Sequence, residues 1–405
     1  MGRSGLSAAR LERMHEMLAR HVDSGEVPGL VAAVSRRGEA HVLVLGRTET
    51  DGGGEPMRRD AIFRIASVTK QIAAASAMTL LEEGRLRLDD PVDGLLPELA
   101  DRRVLTRPDG PLDDTVPAHR PITLRDVLTF RMGLGAVMTH GKPPIQQAMA
   151  EAGLSPGPLA APIPPDEWMK RLGGLPLVYQ PGEKWMYHTG ADVLGVLMAR
   201  ATGRPLEEVL AARLFGPLGM TDTSFHVPAG KLGRLPAAYG PDRDTGELVL
   251  FDHPRESAWA QPPAFPSAGG GLVSTADDLL AFGTMMLNKG RPAAERGAGP
   301  QRILSRPAVE LMTTDHLTAA QKEENEMFFA GQGGWGFGVN VITRRTNLGP
   351  GPGSFGWTGG TGTTVYTDPA EEMILILLTQ RLMTSPVPPA VFSDFFAGAY
   401  QAIDD

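Results

Sequence analysis

The sequence predicts an α/β (α+β) fold in which strands from both ends of the chain share one sheet. β-rich runs at residues 29–34 and 41–45 return near the other end at residues 363–367 and 373–378. The intervening part is richer in Pro and Gly and has only short helical patches. Strands at both ends with helices between them indicate one domain that is interrupted by an insertion.

The length of the chain supports this division. At 405 residues the chain exceeds the size at which a single core usually stops growing. We therefore expect a discontinuous α/β domain formed by residues 1–95 and 265–405, with a mainly helical inserted lobe formed by residues 96–264. The cleft between two such lobes is a usual place for a binding site.

The first elements follow from hydrophobic spacing. Leu11, Met14, Leu18 and Val22 recur at helical intervals among charged residues and predict an amphipathic helix. The two β-rich runs that follow flank a Gly-containing turn and predict a hairpin. Residues 62–65 predict a short strand, and an Ala/Leu/Met-rich helix is expected from residue 67 to a glycine C-cap at residue 84.

The remaining elements are predicted in the same way. Helical patches are expected at residues 124–130 and 191–201, and a helix at residues 391–403 closes the chain. A further strand is predicted at residues 334–342, before the two strands already named.

Composition excludes several classes of partner. The net charge of -8, with no basic run, disfavours nucleic acid and anionic membranes. No segment reaches the ~18 apolar residues of a membrane helix, and the first residues lack the apolar core of a secretory signal, so we expect a cytoplasmic protein. Cysteine is absent, and the nine histidines lack metal-ligand spacing, so we expect no metal. Composition leaves the oligomeric state open.

Ser67-Val68-Thr69-Lys70 is an S-x-x-K motif. On a helix, residues three positions apart share a face, so the hydroxyl and the amine can meet. A serine hydroxyl needs such a base because it is a weak nucleophile alone. Chance gives roughly 0.26 such motifs in this chain, and a Ser N-cap beside an exposed Lys is the alternative interpretation. The position of the motif, after a strand-like segment and at the start of an apolar helix, favours catalysis.

Two further segments fit a serine-hydrolase site. Residues 181–189 place Tyr187 shortly after a Pro-Gly turn. Residues 355–362 read Phe-Gly-Trp-Thr-Gly-Gly-Thr-Gly and precede a predicted strand, and their glycines would let a substrate pass close to free backbone N–H groups. Taken singly, Tyr187 is an ordinary aromatic and the glycines are a turn. In this order, the three segments together predict an active site.

The chain resembles the serine β-lactamase and penicillin-binding-protein-like family, in particular the class C β-lactamase-related group that includes the family VIII carboxylesterases. The likeness runs nearly the whole length and lies in residues 63–70, 86–91, 122–129, 181–187 and 268–275 and in the closing Gly-rich strand. It implies a β-lactamase-like fold, with a central antiparallel sheet flanked by helices and a mainly helical inserted lobe.

The resemblance also implies the roles of individual residues. Ser67 would be the acylated nucleophile, Lys70 its base partner, and Tyr187 the second proton-transfer group. The backbone N–H groups of Ser67 and Gly360 would form the oxyanion hole. No cofactor is implied.

Two departures from the family pattern narrow the substrate class. The tyrosine motif, usually Tyr-Ser-Asn or Tyr-Ala-Asn, is Tyr187-His188-Thr189 here, so the amide-binding Asn is absent. The Lys-Thr-Gly of β-lactamases is Trp357-Thr358-Gly359, so the cation that would hold a β-lactam carboxylate is also absent. Both changes point to neutral esters, as in the esterase branch. We expect Trp357, Gly359 and His188 to bind the substrate.

The sequence therefore predicts a serine carboxylesterase that cleaves small-molecule esters through an acyl-enzyme on Ser67. The nearest alternative is an acyltransferase that passes the acyl group to an alcohol or amine, followed by a β-lactamase or D-amino-acid peptidase. A catalytically retired binding protein on the same scaffold is the alternative of a different class. The intact Ser67, Lys70 and Tyr187 argue against that last alternative.

The identity of the acylation base is left open. A free lysine is neutral only about 0.04% of the time at pH 7, so a lysine base needs its pKa lowered by about three units, or roughly 4 kcal/mol. Burial at a helix N-terminus lowers the pKa of Lys70, whereas a cationic Lys70 would stabilise Tyr187 as phenolate. The hypothesis is that Lys70 and Tyr187 both act as bases in acylation and that Tyr187 then activates the water that hydrolyses the acyl-enzyme.

A second serine motif is rejected on chemical grounds. Residues 153–157 match G-x-S-x-G, the nucleophile elbow of α/β-hydrolases, with Ser155 at its centre. That elbow uses the backbone N–H of the following residue as an oxyanion donor, and Pro156 has none. The preceding residues 145–152 also predict a helix where the elbow needs a strand.

Overall fold

The computed structural model describes residues 3–50, 53–136, 143–242, 244–293 and 302–405. The strands of these residues are β1 (Gly29–Arg36), β2 (Glu39–Gly46), β3 (Phe63–Arg64), β4 (Arg103–Leu105), β5 (Thr115–Pro117), β6 (Ala238–Pro241), β7 (Leu248–Asp252), β8 (Val273–Ser274), β9 (Gly333–Trp335), β10 (Asn340–Ile342), β11 (Phe355–Gly359), β12 (Thr363–Asp368) and β13 (Met373–Thr379).

The α-helices of the described residues lie between and around these strands. They are α1 (Ala8–Asp23), α2 (Thr69–Glu82), α3 (Leu124–Leu128), α4 (Pro144–Glu151), α5 (Pro165–Gly173), α6 (Thr189–Thr202), α7 (Leu206–Leu210), α8 (Gly216–Leu218), α9 (Ala276–Leu287), α10 (Arg306–Met312), α11 (Ala319–Glu323), α12 (Glu326–Phe329) and α13 (Ala390–Gln401).

The main sheet joins the two ends of the chain. Seven of the described strands form it in the order β2-β1-β13-β12-β11-β10-β9, and every neighbouring pair is antiparallel. The first hairpin meets the C-terminal strands through β1 and β13, with Leu30 opposite Thr379. The predicted fold class, a central antiparallel sheet built from both termini, is confirmed.

Helices cover both faces of this sheet, as the alternation along β1 shows. Leu30, Ala32 and Val34 pack in one cluster with residues of α1 and α13, whereas Val31 and Ala33 pack on the other face with residues of α2 and α9. Alternate residues of a strand point to opposite faces. Because both faces are covered, all eight residues of β1 are buried, and α2 lies inside the molecule.

The middle of the chain contains the helices α3 to α8 and the small strand pairs β4–β5 and β6–β7, and a third small pair, β3–β8, joins the segments on either side of it. The division into an α/β domain and an inserted lobe at residues 95/96 and 264/265 stays a prediction. In the described part of the chain, no helix is long and apolar enough to cross a membrane.

Two strand predictions were wrong in detail. Residues 334–342 form the separate antiparallel strands β9 and β10, because the chain turns at Gly338, where φ is +68°. A Cβ on Gly338 would lie 2.8 Å from the backbone oxygen of Lys70, so this turn packs directly on the helix that carries the predicted base. The Gly-rich segment expected before a strand is itself a strand, β11, which pairs with β12.

His21 joins the ends of the chain and is expected to make stability depend on pH. Its Nδ1 lies 2.5 Å from Glu26 Oε2 and its Nε2 lies 2.8 Å from Asp394 Oδ2. Burial lowers the pKa of His21, but the two carboxylates outweigh burial and raise this pKa above 6.5. A raised histidine pKa stabilises the fold fully below pH ~6.5, and the effect is lost as the pH rises through the folded-state pKa.

We therefore expect His21→Ala to lower the melting temperature more at pH 5.5 than at pH 8.5. His15→Ala, which removes a more exposed histidine from the same helix, is the matched control and should show a smaller difference between the two pH values. Thermal unfolding followed by circular dichroism gives both numbers. Equal losses for His21→Ala at the two pH values would contradict the prediction.

Candidate active site

The nucleophile motif lies where β3 passes into α2. Ala66–Val68 forms a 3-10 turn and α2 begins at Thr69, so Ser67 precedes the α-helix and does not open it as the sequence suggested. Ala66 has a φ of +41°, a conformation uncommon for a residue with a side chain. As an ammonium, Lys70 donates through Nζ to Ser67 Oγ at 2.9 Å. The structure therefore brings nucleophile and base candidate into direct contact.

Lys70 is enclosed by acceptors. Its side chain is buried, with 1% exposed, and besides Ser67 its Nζ contacts the backbone oxygen of Gly269 and, at 3.1 Å, Nδ1 of His188. Burial lowers the pKa of Lys70 to about 7, against the opposing effect of the Asp192 carboxylate. A substantial share of Lys70 is thus neutral at physiological pH and can accept a proton.

Tyr187 also contacts the nucleophile. Its hydroxyl shares a hydrogen bond with Ser67 and accepts one from Trp357 Nε1 at 2.6 Å. Burial raises the pKa of Tyr187 to about 12, although both hydrogen bonds oppose the rise. Lys70 Nζ lies 4.6 Å from the centre of the Tyr187 ring. Tyr187 is therefore a phenol near neutral pH, and of the two base candidates Lys70 is the one with the suitable pKa.

His188 does not present a free donor or acceptor to a substrate. It lies on the wall of the cavity, but Nδ1 faces Lys70 and Nε2 lies 3.1 Å from Asp192 Oδ2. Burial, together with the charge of Lys70, lowers the pKa of His188. Because protein groups contact both ring nitrogens, any contact of His188 with a substrate would be through the rest of its ring, and the substrate-binding role expected for it stays a prediction.

Asp192 is the residue that the sequence analysis missed. It lies one turn into α6, and its Oδ1 accepts from Ser267 Oγ at 2.7 Å and from the Gly269 N–H at 2.9 Å. Burial raises the pKa of Asp192, but His188 and the other donors outweigh burial and lower this pKa, so the group is a carboxylate. The four-residue spacing from His188 to Asp192 was the signal available, because such pairs meet on a helix.

The two glycines of β11 and its following turn differ in their surroundings. Gly359 is buried, and a Cβ there would lie 2.3 Å from the backbone oxygen of Ile65, so glycine lets the strand pack against the segment before the nucleophile. The substrate-binding role expected for Gly359 stays a prediction. Gly360 is exposed and lines the cavity with Ser67. An oxyanion hole formed by their N–H groups stays a prediction.

The site opens into a cavity of about 1110 Å³. Ser67, Tyr187 and Trp357 lie on its wall, beside apolar residues from several parts of the chain. Three of these are large hydrophobic side chains with half or more of their surface exposed, namely Met327, Leu348 and Val387. Exposed apolar side chains gathered at one cavity favour an apolar ligand.

Ser155 also lines this cavity, but its local structure is not that of a nucleophile elbow. It follows α4, whereas the elbow joins a strand to a helix. The sequence-based rejection of Ser155 as nucleophile therefore agrees with the local structure.

Trp357→Phe is expected to lower turnover of an alkyl ester by roughly 10- to 100-fold, because loss of one hydrogen bond to the oxygen of Tyr187, which is charged once Tyr187 gives up its proton, costs about 1.5–3 kcal/mol. The indole N–H is a hydrogen-bond donor to the Tyr187 oxygen, and phenylalanine keeps the ring packing without that donor. Steady-state kinetics measure the effect. Trp335→Phe, a buried indole 4.9 Å from the Trp357 ring, is the matched control. An unchanged kcat for Trp357→Phe would contradict the prediction.

Comparison with known proteins adds to this geometry. The model of the beta-lactamase family matches residues 14–390. An uncharacterized protein of Mycobacterium tuberculosis is 38% identical over 369 residues, which is 89% of this chain and 87% of that protein. Esterase EstB of Burkholderia gladioli is 30% identical over 410 residues, covering 96% of this chain and 95% of the esterase.

A solved structure matches at the level of the fold. EstCE1, described as a hydrolase with promiscuous acyltransferase activity, superposes with a TM-score of 0.76 at 22% identity, covering 98% of this chain and 99% of that one. The resemblance inferred from the sequence motifs is confirmed by these matches.

Proposed function

Since the chain belongs to the beta-lactamase family, we propose that it is a serine hydrolase that cleaves carboxylic esters through an acyl-enzyme on Ser67. The observation that supports this most strongly is the contact of Ser67 Oγ with Lys70 Nζ at 2.9 Å, where the Lys70 pKa is lowered to about 7. A nucleophile at the wall of a cavity, in contact with a base whose pKa lies near physiological pH, provides the parts that acyl transfer needs.

In acylation, neutral Lys70 takes the proton of the Ser67 hydroxyl while Oγ attacks the ester carbonyl carbon. The developing oxyanion would be held by the N–H groups of Ser67 and Gly360. When the ester C–O bond breaks, the Tyr187 hydroxyl gives its proton to the leaving alkoxide. The products of this half-reaction are an ester on Ser67, a Lys70 ammonium and a Tyr187 phenolate.

Deacylation returns each proton. The Tyr187 phenolate takes a proton from water, and the hydroxide attacks the acyl carbon. Ser67 Oγ then leaves and takes the proton from the Lys70 ammonium, which restores the starting state. This scheme keeps the water-activating role expected for Tyr187 but assigns the acylation base to Lys70 alone, because burial raises the Tyr187 pKa to about 12.

The substrate class follows from charge and size. Trp357, which stands where β-lactamases have a lysine, offers no cation for a carboxylate, and the large exposed hydrophobic side chains Met327, Leu348 and Val387 line the same cavity. A cavity of about 1110 Å³ exceeds the volume of a short ester. We therefore assign small-molecule esters that are neutral and carry an apolar acyl or alcohol group. The cytoplasmic location remains a prediction.

An acyltransferase is the second candidate, and the likeness to EstCE1, a hydrolase with promiscuous acyltransferase activity, favours it. The same acyl-enzyme serves both reactions, because an alcohol or amine can replace water in deacylation. The apolar cavity would hold such an acceptor.

A mass-spectrometric time course with p-nitrophenyl butyrate tests both candidates. We expect a butyryl group on Ser67 that decays in water as nitrophenol is released, with Ser67→Ala forming none and Ser155→Ala behaving as the unmodified protein. An adduct that persists until an alcohol is added would favour the acyltransferase. Neither adduct nor nitrophenol, or an adduct on Ser155, would overturn the proposal.

A further inference from the structure

We propose that Asp192 and His188 form a buried pair that orients the lone pair of Lys70 toward Ser67, an inference that rests on the proposed function. Asp192 holds His188, and both residues act through Lys70, which itself takes the serine proton. Both are therefore positioning residues. The distances that carry the proposal are 3.1 Å from Lys70 Nζ to His188 Nδ1 and 3.1 Å from His188 Nε2 to Asp192 Oδ2.

The hydrogens of neutral Lys70 determine where its lone pair points. A neutral amine has two N–H bonds and one lone pair, and three groups surround this nitrogen, namely Ser67 Oγ, Gly269 O and His188 Nδ1. The Gly269 oxygen can only accept. If His188 Nδ1 also accepts, both N–H bonds are used and the lone pair is left for the Ser67 hydroxyl. The tautomer of His188 therefore decides whether Lys70 can act as a base.

Asp192 fixes that tautomer. Its Oδ1 already accepts two hydrogen bonds, from Ser267 and from the Gly269 N–H. As a carboxylate, Asp192 can only accept at Oδ2 as well, so the hydrogen of neutral His188 is on Nε2. Nδ1 is then bare and accepts from Lys70. The same carboxylate also holds the Gly269 peptide, so it positions both of the acceptors that orient the amine.

The backbone around His188 is strained, and His188 and Asp192 pack tightly against Gly269. His188 has φ +79° and ψ -65°, and the Thr189 N–H donates to the Tyr187 oxygen at 3.2 Å, which makes a strained γ-turn. A Cβ at Gly269 would lie 2.8 Å from His188 Nε2 and 3.0 Å from Asp192 Oδ1. Strain of this kind persists only where the surrounding structure holds it, and it clusters at functional sites. Here it brings both Tyr187 and His188 to Lys70.

The groups that can influence the titration of Lys70 are few among the described residues. Tyr187 and His188 face it from the turn before α6, and Asp192 faces it from α6 itself. The segments 267–271 and 336–338, which contact Lys70 through Gly269 and Gly338, have no titratable side chain. A change in the pH profile on altering Asp192 therefore reports on this network.

Asp192→Asn is the decisive variant because its orientation is forced. The Gly269 N–H must still find an acceptor, so the amide oxygen stays at that position and the NH₂ group faces His188. Nε2 then has to accept, and the imidazole hydrogen moves to Nδ1, where it donates to the Lys70 lone pair. The lone pair is thereby diverted from Ser67, while the size and packing of the side chain are unchanged.

The measurement is the rate at which an alkyl fluorophosphonate labels Ser67 between pH 5 and pH 9. This reaction forms a P–O bond at Oγ and releases fluoride, with the serine proton passing to Lys70. For Asp192→Asn we expect a plateau lower by roughly 10²–10³-fold, as for loss of a general base. We also expect the midpoint to move to lower pH, because the Asp192 charge that favours the Lys70 cation is gone.

Asp126→Asn is the matched control, since it converts another buried carboxylate, in the capping box of α3, to an amide. It is expected to lower the melting temperature and leave the midpoint of labelling unchanged. A plateau for Asp192→Asn within about threefold of the unmodified enzyme, or an unshifted midpoint, would overturn the role of the pair. Failure of the unmodified enzyme to label at Ser67 would overturn the proposed function itself.

Two substitutions of His188 distinguish the effect of its acceptor nitrogen from the effect of its size. Asparagine can place an amide oxygen near the position of Nδ1 and tolerates positive φ, whereas phenylalanine fills the space with no acceptor. We expect His188→Asn to label within about tenfold of the unmodified enzyme and His188→Phe to lose roughly 10²-fold. Equal losses in the two variants, at similar melting temperatures, would show that His188 acts only by packing.

Discussion

Lys70→Met is expected to lower ester hydrolysis by roughly 10²–10⁴-fold, the contribution of a general base, and at the same time to raise the melting temperature at neutral pH. Methionine is unbranched and apolar, so it can fill the space of the buried side chain. The loss of activity follows from the 2.9 Å contact between Lys70 Nζ and Ser67 Oγ. The gain in stability follows from the cost of burying an amine.

The pKa of Lys70 sets the sign and pH range of that gain. Burial lowers it from 10.5 to about 7. Between these values the unfolded chain binds a proton that the folded protein does not, so the unmodified enzyme loses stability as pH falls from 10.5 toward 7. The full shift corresponds to about 5 kcal/mol. The stability difference in favour of Lys70→Met should therefore be largest at pH 7 and below, and should shrink as pH rises.

Urea unfolding of Lys70→Met and of the unmodified enzyme between pH 6 and pH 10 measures this difference in the free energy of unfolding. The contributions of the other titrating groups are similar in the two proteins and largely cancel in the difference. Lys184→Met is the matched control, because Lys184 pairs with Glu324 and its pKa is raised. That variant should be no more stable than the unmodified enzyme at any pH in the range. Lys70→Met with full turnover, or with a stability difference that does not change with pH, would contradict the prediction.

The strand pattern and the Ser67–Lys70 contact could be predicted because both depend on local spacing. Alternating or continuous apolar runs identified β1, β12 and β13, and the three-residue interval from Ser67 to Lys70 places both side chains on one face even though Ser67 lies in a 3-10 turn. Hydrophobic periodicity and i,i+3 geometry act within a few residues, so one sequence suffices to read them.

The surroundings of Lys70 could not be predicted in the same way. His188 and Gly269 lie 118 and 199 positions from it along the chain, and no local pattern shows that these segments meet. The pair His188 and Asp192 did have a local signal, their four-residue spacing, but without the long-range contact to Lys70 it reads as an ordinary helix pair. The turn at Gly338 was missed for the same reason, since its shape is set by packing on Lys70.

Tyr187→Phe is expected to affect two substrates differently. An alkyl ester such as ethyl butyrate releases an alkoxide that needs a proton, so loss of the Tyr187 hydroxyl should slow acylation by roughly 10²–10⁴-fold. p-Nitrophenolate leaves without a proton, so acylation by p-nitrophenyl butyrate should survive. Deacylation still needs Tyr187 to activate water, and a burst of nitrophenol with butyryl-Ser67 accumulation should follow.

Tyr366→Phe isolates this effect, because Tyr366 lines the same cavity, is buried, and has its pKa raised to about 12 while its hydroxyl bonds to Asn340 and not to Ser67. Replacing the Tyr366 hydroxyl by hydrogen should leave the turnover of both esters within about threefold of the unmodified enzyme. This hydroxyl makes no contact with Ser67, so its loss should not change the stabilisation of the transition state. If Tyr187→Phe behaved like Tyr366→Phe, the proton on the leaving alcohol would have to come from the Lys70 ammonium. The hydrogen bond from Trp357 to the Tyr187 oxygen would then have no effect on turnover. A burst only in Tyr187→Phe would instead assign both proton transfers, to the alcohol and from water, to this one hydroxyl.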